Sequence, residues 1–124
     1  MARSGTDDPA TAFRRRAATF DLRLDPILRH QRFVVNLDRY ELTVGEKPIE
    51  ISPMQLELLA VFLAAPDRIW SRRELNEITG CKRGESRRID VRLARLRRSL
   101  GADIFRTVLG RGWILRTIDD TQDD

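Results

Sequence analysis

The sequence predicts an α+β domain: a short antiparallel meander, three helices and a closing β-hairpin. Three observations lead there. Alternating apolar runs at Phe33-Val35-Leu37 and Tyr40-Leu42-Val44 are separated by a tight Asp38-Arg39 turn. Ser52-Pro53-Met54-Gln55 and Ser71-Arg72-Arg73-Glu74 both read as helix starts. Late in the chain, Leu109-Gly110-Arg111-Gly112 joins two extended runs.

Residues 1 to 12 are small and polar, and residues 1 to 18 are expected to form a flexible basic arm with Arg14, Arg15 and Arg16 at its end. These arginines are expected to touch phosphates of a partner or a neighbouring protomer. Residues 13 to 24 fit two patterns. Phe13, Ala17, Phe20 and Leu24 would line a helix, whereas Phe20, Leu22 and Leu24 alternate with Asp21 and Arg23 as a half-buried strand does. A strand over 20 to 24 is preferred, ended by Asp25-Pro26. The meander follows, its third run being Pro48, Ile49 and Ile51 after the Gly45-Glu46 turn. Pro48 cannot donate to a ladder and puts that run at an edge.

The first helix starts at Pro53, capped by Ser52 and boxed by Gln55, and reaches about Ala65, burying Leu56, Leu59, Phe62 and Leu63. Pro66-Asp67 ends it. Ile69-Trp70 is extended. The second helix follows Ser71, turns Leu75 and Ile78 inward and stops at Gly80. After a loop over 81 to 86, the third helix runs from Arg87 to Leu100, with Gly101 as its stop. At about 100° per residue, Ile89, Leu93, Leu96 and Leu100 fall within about 60° of one another. Arg87, Arg88, Val91, Ala94, Arg95 and Arg98 lie on the other side. Small Val91 and Ala94 among arginines let such a helix approach a groove closely.

The charge distribution agrees. The chain of 124 residues has a formal net charge of +4, yet residues 82 to 98 hold eight basic side chains against Glu85 and Asp90. A polyanion is the natural partner. Arginine suits bidentate contacts with phosphate and guanine, although a GC-rich genome also favours its codons. The acidic segment 117 to 124 reads as a solvated tail, which leaves 19 to 116 as the folded domain. Single residues Cys81 and His30 exclude a disulfide framework and Cys- or His-based metal sites, and no cofactor is expected. No Ser-His-Asp set or phosphate-cradling loop is present, so an enzyme is not expected. No apolar run approaches the ~18 residues of a membrane span, and the N-terminus has no signal-peptide pattern. A cytoplasmic protein is the expectation.

Three helices followed by a hairpin are the winged helix-turn-helix layout. The stretches ISPMQLELLAVFLAAPDRIWSRREL, RRIDVRLARLRRSLG and TVLGRGWIL, in that order, resemble the OmpR/PhoB-type winged-helix effector domain of bacterial response regulators. The resemblance spans roughly residues 20 to 116. It implies a double-stranded DNA-binding transcription regulator of a two-component system. Its third helix (87–100) would enter the major groove and its wing (105–115) would meet the adjacent minor groove. Head-to-tail pairs on direct repeats and contact of loop 81–86 with RNA polymerase are implied as well. By position, Arg72 matches a phosphate contact. Arg88, Asp90, Val91, Arg92 and Arg95 match positions facing bases or flanking phosphates, Arg95 being the main base reader. Thr107 matches a phosphate contact at the wing. Asp90 could instead orient a neighbouring arginine, and Trp70 and Trp113 read as core rather than stacking platforms.

Several features depart from the pattern. The receiver domain that usually precedes this module has no counterpart in these 124 residues, which puts phosphorylation control in doubt. The turn at Asp38-Arg39 is shortened, and Thr79 stands where an aromatic is common. Leu109 stands where the family usually carries the minor-groove arginine. Arg111, two residues on, is expected to take over that contact while Leu109 packs toward the sheet or the third helix. A different reading makes the domain a protein-interaction module that docks its basic surface on RNA polymerase or another regulator.

Overall fold

The chain's first element is a helix where a flexible arm was expected. The computed structural model describes residues 9–80, 88–100 and 104–116. Within them α1 (Pro9–Ala18) buries Phe13 and Ala17 completely. Its inward stripe is only Ala10, Phe13 and Ala17, too small and too interrupted by arginine to stand out in the sequence. Packing against α3, described below, makes it a helix. The strand expected over 20 to 24 is also absent. Leu22 and Leu24 are buried between exposed neighbours, so the alternation is real. Asp21 takes a left-handed φ of 60°, however, and the segment joins neither sheet.

The N-terminal sheet has four strands where three runs were expected: β1 (Ile27–His30), β2 (Phe33–Asn36), β3 (Glu41–Val44) and β4 (Lys47–Ile49), antiparallel in that order. Only Leu28 of β1 is buried, which left that strand without a legible alternation. The register sets Leu28 opposite Val35, Val35 opposite Leu42 and Leu42 opposite Ile49, one apolar row across the sheet. The β2–β3 turn is held by Asn36, whose Oδ1 accepts from the Asp38 and Arg39 amides at 3.0 and 3.1 Å. Pro48 lies in the edge strand, as expected.

The central element is α2 (Pro53–Ala64). Its capping box forms as predicted, Ser52 Oγ accepting from the Gln55 amide. Every residue from Leu56 to Leu63 is buried, because β1, the helix over 88–100 and the strand over 112–115 surround α2. The run includes Glu57. Tyr40 Oη donates to its Oε2 at 2.6 Å, and Arg16 lies 3.6 Å from its Oε1. Burial raises the Glu57 carboxyl above its ordinary pKa, while the Tyr40 bond and the Arg16 charge pull it back.

The second capping box, Ser71 with Glu74, opens α3 (Arg72–Ile78), which turns Leu75 and Ile78 into the core. Thr79 caps it, fully covered, with its hydroxyl donating to the Leu75 carbonyl at 2.6 Å. The helix numbered third in the sequence is α4 (Arg88–Leu100). Its expected first residue Arg87, its stop Gly101, loop 81–86 and the tail 117–124 lie outside the described residues. The hairpin β5 (Phe105–Val108) and β6 (Gly112–Leu115) closes the fold. Trp70 and Trp113 exchange backbone hydrogen bonds of 2.8 and 2.9 Å, tying the hairpin to the start of α3. Gly112 makes this approach possible: a Cβ there would stand 2.0 Å from the Trp70 carbonyl oxygen.

Candidate nucleic-acid interface

The helix α4 has two chemically opposite sides. Ile89, Leu93 and Leu96 are buried and Leu100 packs partly against the core. That fixes the rotation of the helix and turns Val91, Ala94, Arg95 and Arg98 outward. Val91 is 48% exposed, an apolar side chain presented to solvent between arginines. Arg92 is half-buried on the flank. Arg88 is the first residue of the helix as described.

Asp90, at the same end of α4, is already partnered. Arg72 Nη2 donates to both its carboxylate oxygens at 2.8 Å. The guanidinium of Arg72 also stands 5.6 Å from the Trp113 ring centroid. One arginine therefore spans the start of α3, the start of α4 and the hairpin. In the domain without DNA, Asp90 is thus paired with an arginine. Sequence spacing cannot reveal this pair, since the two residues lie eighteen apart on different helices.

The hairpin faces the same side. Ser71, Arg72 and Arg73 border a cleft of about 440 Å³ whose other wall is residues 107–113. Thr107 and Arg111 are exposed. The tip turns through Gly110 at φ 75°, with the Arg111 amide donating to the Val108 carbonyl at 2.9 Å. Leu109 is 92% exposed and packs on neither the sheet nor α4, contrary to expectation. Position two of such a turn points away from both strands, whatever side chain occupies it. Arg73 and Arg106 are also exposed beside the cleft and the hairpin, and were not singled out in the sequence. Alternation with buried Phe105 was the signal that could have marked Arg106.

Two of the three arginines assigned to an N-terminal arm are engaged within the fold. Arg14 Nε donates to the Leu24 carbonyl at 3.2 Å, and Arg16 Nε to the Ile78 carbonyl at 2.8 Å. Trp70 is fully buried, and Trp113 packs partly against the core.

Residues 45–115 match the family described as "Transcriptional regulatory protein, C terminal". The chain belongs to this family. It is an OmpR/PhoB-type DNA-binding domain of a transcription regulator, and the family's role is not catalytic. The phosphate regulon transcriptional regulatory protein PhoB of Shigella flexneri is 32% identical over 100 residues, covering 76% of this chain and 44% of the relative. The TorCAD operon regulator TorR of Escherichia coli (strain K12) is 32% identical over 94 residues, covering 73% and 41%. The chain thus spans less than half the length of these curated relatives. Among solved structures, the DNA-binding domain of CpxR from E. coli superposes with a TM-score of 0.66 at 26% identity, covering 75% of this chain and 98% of that one. The Klebsiella pneumoniae RstA DNA-binding domain in complex with the RstA box gives 0.67 at 16% identity, covering 74% and 98%, a likeness of fold. Among the described residues, no helix of this OmpR/PhoB-type domain is long and apolar enough to cross a membrane.

Proposed function

We propose that this domain binds double-stranded DNA sequence-specifically, with α4 in the major groove and the β5–β6 wing at the adjacent minor groove. The observation that carries the reading is the outward face of α4, where Val91 and Ala94 lie between Arg95 and Arg98 while the leucines are buried behind. A helix of this kind seats closely in a groove and reads base edges with its arginines. Arg95 reads a base, guanine by its chemistry. Arg87, Arg88, Val91, Arg92 and Arg98 flank it on bases or phosphates. Arg72 and Thr107 hold the backbone on either side of the cleft, and Arg111 enters the minor groove. Head-to-tail pairing on direct repeats and contact of loop 81–86 with RNA polymerase belong to the same reading, as does a cytoplasmic location.

A salt titration tests it. Neutralising about five phosphates predicts a log–log slope of about −4 to −5 for duplex binding. Arg95→Ala is expected to weaken a selected site by about 1–3 kcal/mol and random duplex far less. Duplex binding without salt dependence would favour a protein-docking module instead. Equal loss on both duplexes would reduce Arg95 to a phosphate clamp.

A further inference from the structure

On the proposed DNA-facing side Asp90 is hydrogen-bonded directly to Arg72, while Arg73 beside it pairs more loosely with Glu77 at 3.8 Å. Asp90 accepts twice from Arg72 Nη2 at 2.8 Å, and both side chains are about half exposed, at 45% for Arg72 and 49% for Asp90. The cleft beside Arg72 is lined by Arg73 and Arg111 and by no carboxylate. A phosphate entering that cleft therefore meets an arginine whose Nη2 is already held by an acid. Exposed ion pairs contribute little to stability, so the exchange of carboxylate for phosphate on Arg72 is inexpensive. Its consequence falls on Asp90, which is left unpartnered against a polyanion.

Building on the DNA-binding reading above, we propose that Asp90 is a selectivity gate. In the free protein it occupies Arg72. On DNA, Arg72 transfers to a backbone phosphate and the freed Asp90 carboxylate needs a donor. In the major groove the N4 amino group of cytosine supplies one, a recognised pairing for acidic side chains. A duplex without an amino donor there leaves the carboxylate facing acceptors and phosphates, and is rejected. Asp90 thus discriminates by penalising wrong sites as well as by contacting the right one.

The test measures affinity by fluorescence anisotropy at fixed salt, on a random-sequence duplex and on a duplex selected by the wild-type protein from a random library. Asp90→Ala and Asp90→Asn are compared with the wild type, each also in an Arg72→Ala background. The gate predicts that Asp90→Ala tightens random duplex by about threefold to fivefold. The selected duplex is not tightened, so the ratio of the two affinities falls by at least the same factor of about three to five. Sites selected by the variant lose a cytosine that the wild type requires. In the Arg72→Ala background the gain on random duplex shrinks, because the competition for Arg72 is gone. An equal gain in both backgrounds would show bulk charge alone. Equal weakening of both duplexes would make Asp90 a mere support for Arg72. Either result overturns the gate. A wild type that binds no duplex in a salt-dependent way sinks the DNA-binding reading itself; salt-dependent binding with no gain in either variant sinks only the gate.

Discussion

Arg111 and Gly112 are neighbours at the wing and illustrate two different constraints. Arg111 is exposed at a tip whose turn is set by Gly110. A narrow AT-rich minor groove has enhanced negative potential that attracts arginine. Arg111→Ala is expected to weaken binding to sites with AT-rich flanks and spare those with GC-rich flanks, as read by anisotropy on matched duplexes. An equal loss on both, rescued by Arg111→Lys, would make the residue a plain charge. Gly112 is constrained by packing instead. Its φ of 140° and the 2.0 Å approach to the Trp70 carbonyl oxygen leave no room for a Cβ. Gly112→Ala is expected to lower stability by about 2 kcal/mol or more, whereas Gly110→Ala, with nothing within 4 Å, meets only the left-handed strain of about 1 kcal/mol. Urea unfolding of the two variants checks the order; equal midpoints would disprove the close approach.

At the scale of elements, α1 is the one that changes an expectation most. A flexible arm could be removed without effect on melting. Phe13 and Ala17 are completely buried, however, and Arg16 carries a hydrogen bond from α1 to the last carbonyl of α3. A cation there also complements the negative end of the α3 dipole. Phe13→Ala is therefore expected to cost about 3–5 kcal/mol, measured by urea unfolding. A melting temperature equal to that of the wild type would return α1 to the status of an appendage. Both capping boxes, by contrast, are local, and forming them required nothing beyond four consecutive residues. That is why α2 and α3 start where the sequence placed them.

At the scale of the whole molecule, Glu57 ties three parts together: α2, which carries it, Arg16 of α1 and Tyr40 of the β2–β3 turn. Burial raises its pKa above the ordinary value of 4.5. The folded protein then takes up the proton before the unfolded chain does. The stabilisation this gives is fully present below pH 4.5 and is lost as pH rises through the raised value. Glu57→Gln removes the titration while its amide oxygen still accepts from Tyr40. Relative to the wild type, the variant is expected to gain stability from pH 4.5 towards neutrality in thermal melts across that range. A constant difference between the two proteins over the window would rule this out.

The sequence by itself determined whatever depends on near neighbours. The caps at Ser52 and Ser71, the Gly45 turn, the edge position of Pro48, the buried and outward faces of α4 and the glycine-tipped hairpin all follow from residues within a turn or two of each other. The outward arginines of the candidate interface were legible for the same reason, since burial of Ile89, Leu93 and Leu96 fixes which side of α4 remains. Only the tertiary structure decided what depends on distant partners. Residues 9 to 18 became a helix that packs against α3 and buries Phe13 and Ala17 in the core, and residues 20 to 24 kept a strand's alternation without a strand's partner. β1 exists because β2 pairs with it, its own sequence carrying a single buried residue. Asp90 and Arg72 found each other across two helices, and Leu109 was left in solvent by a turn that aims it outward. Short-range periodicity encodes which way a side chain faces within its element. Which element lies opposite is set by the packing of the whole chain.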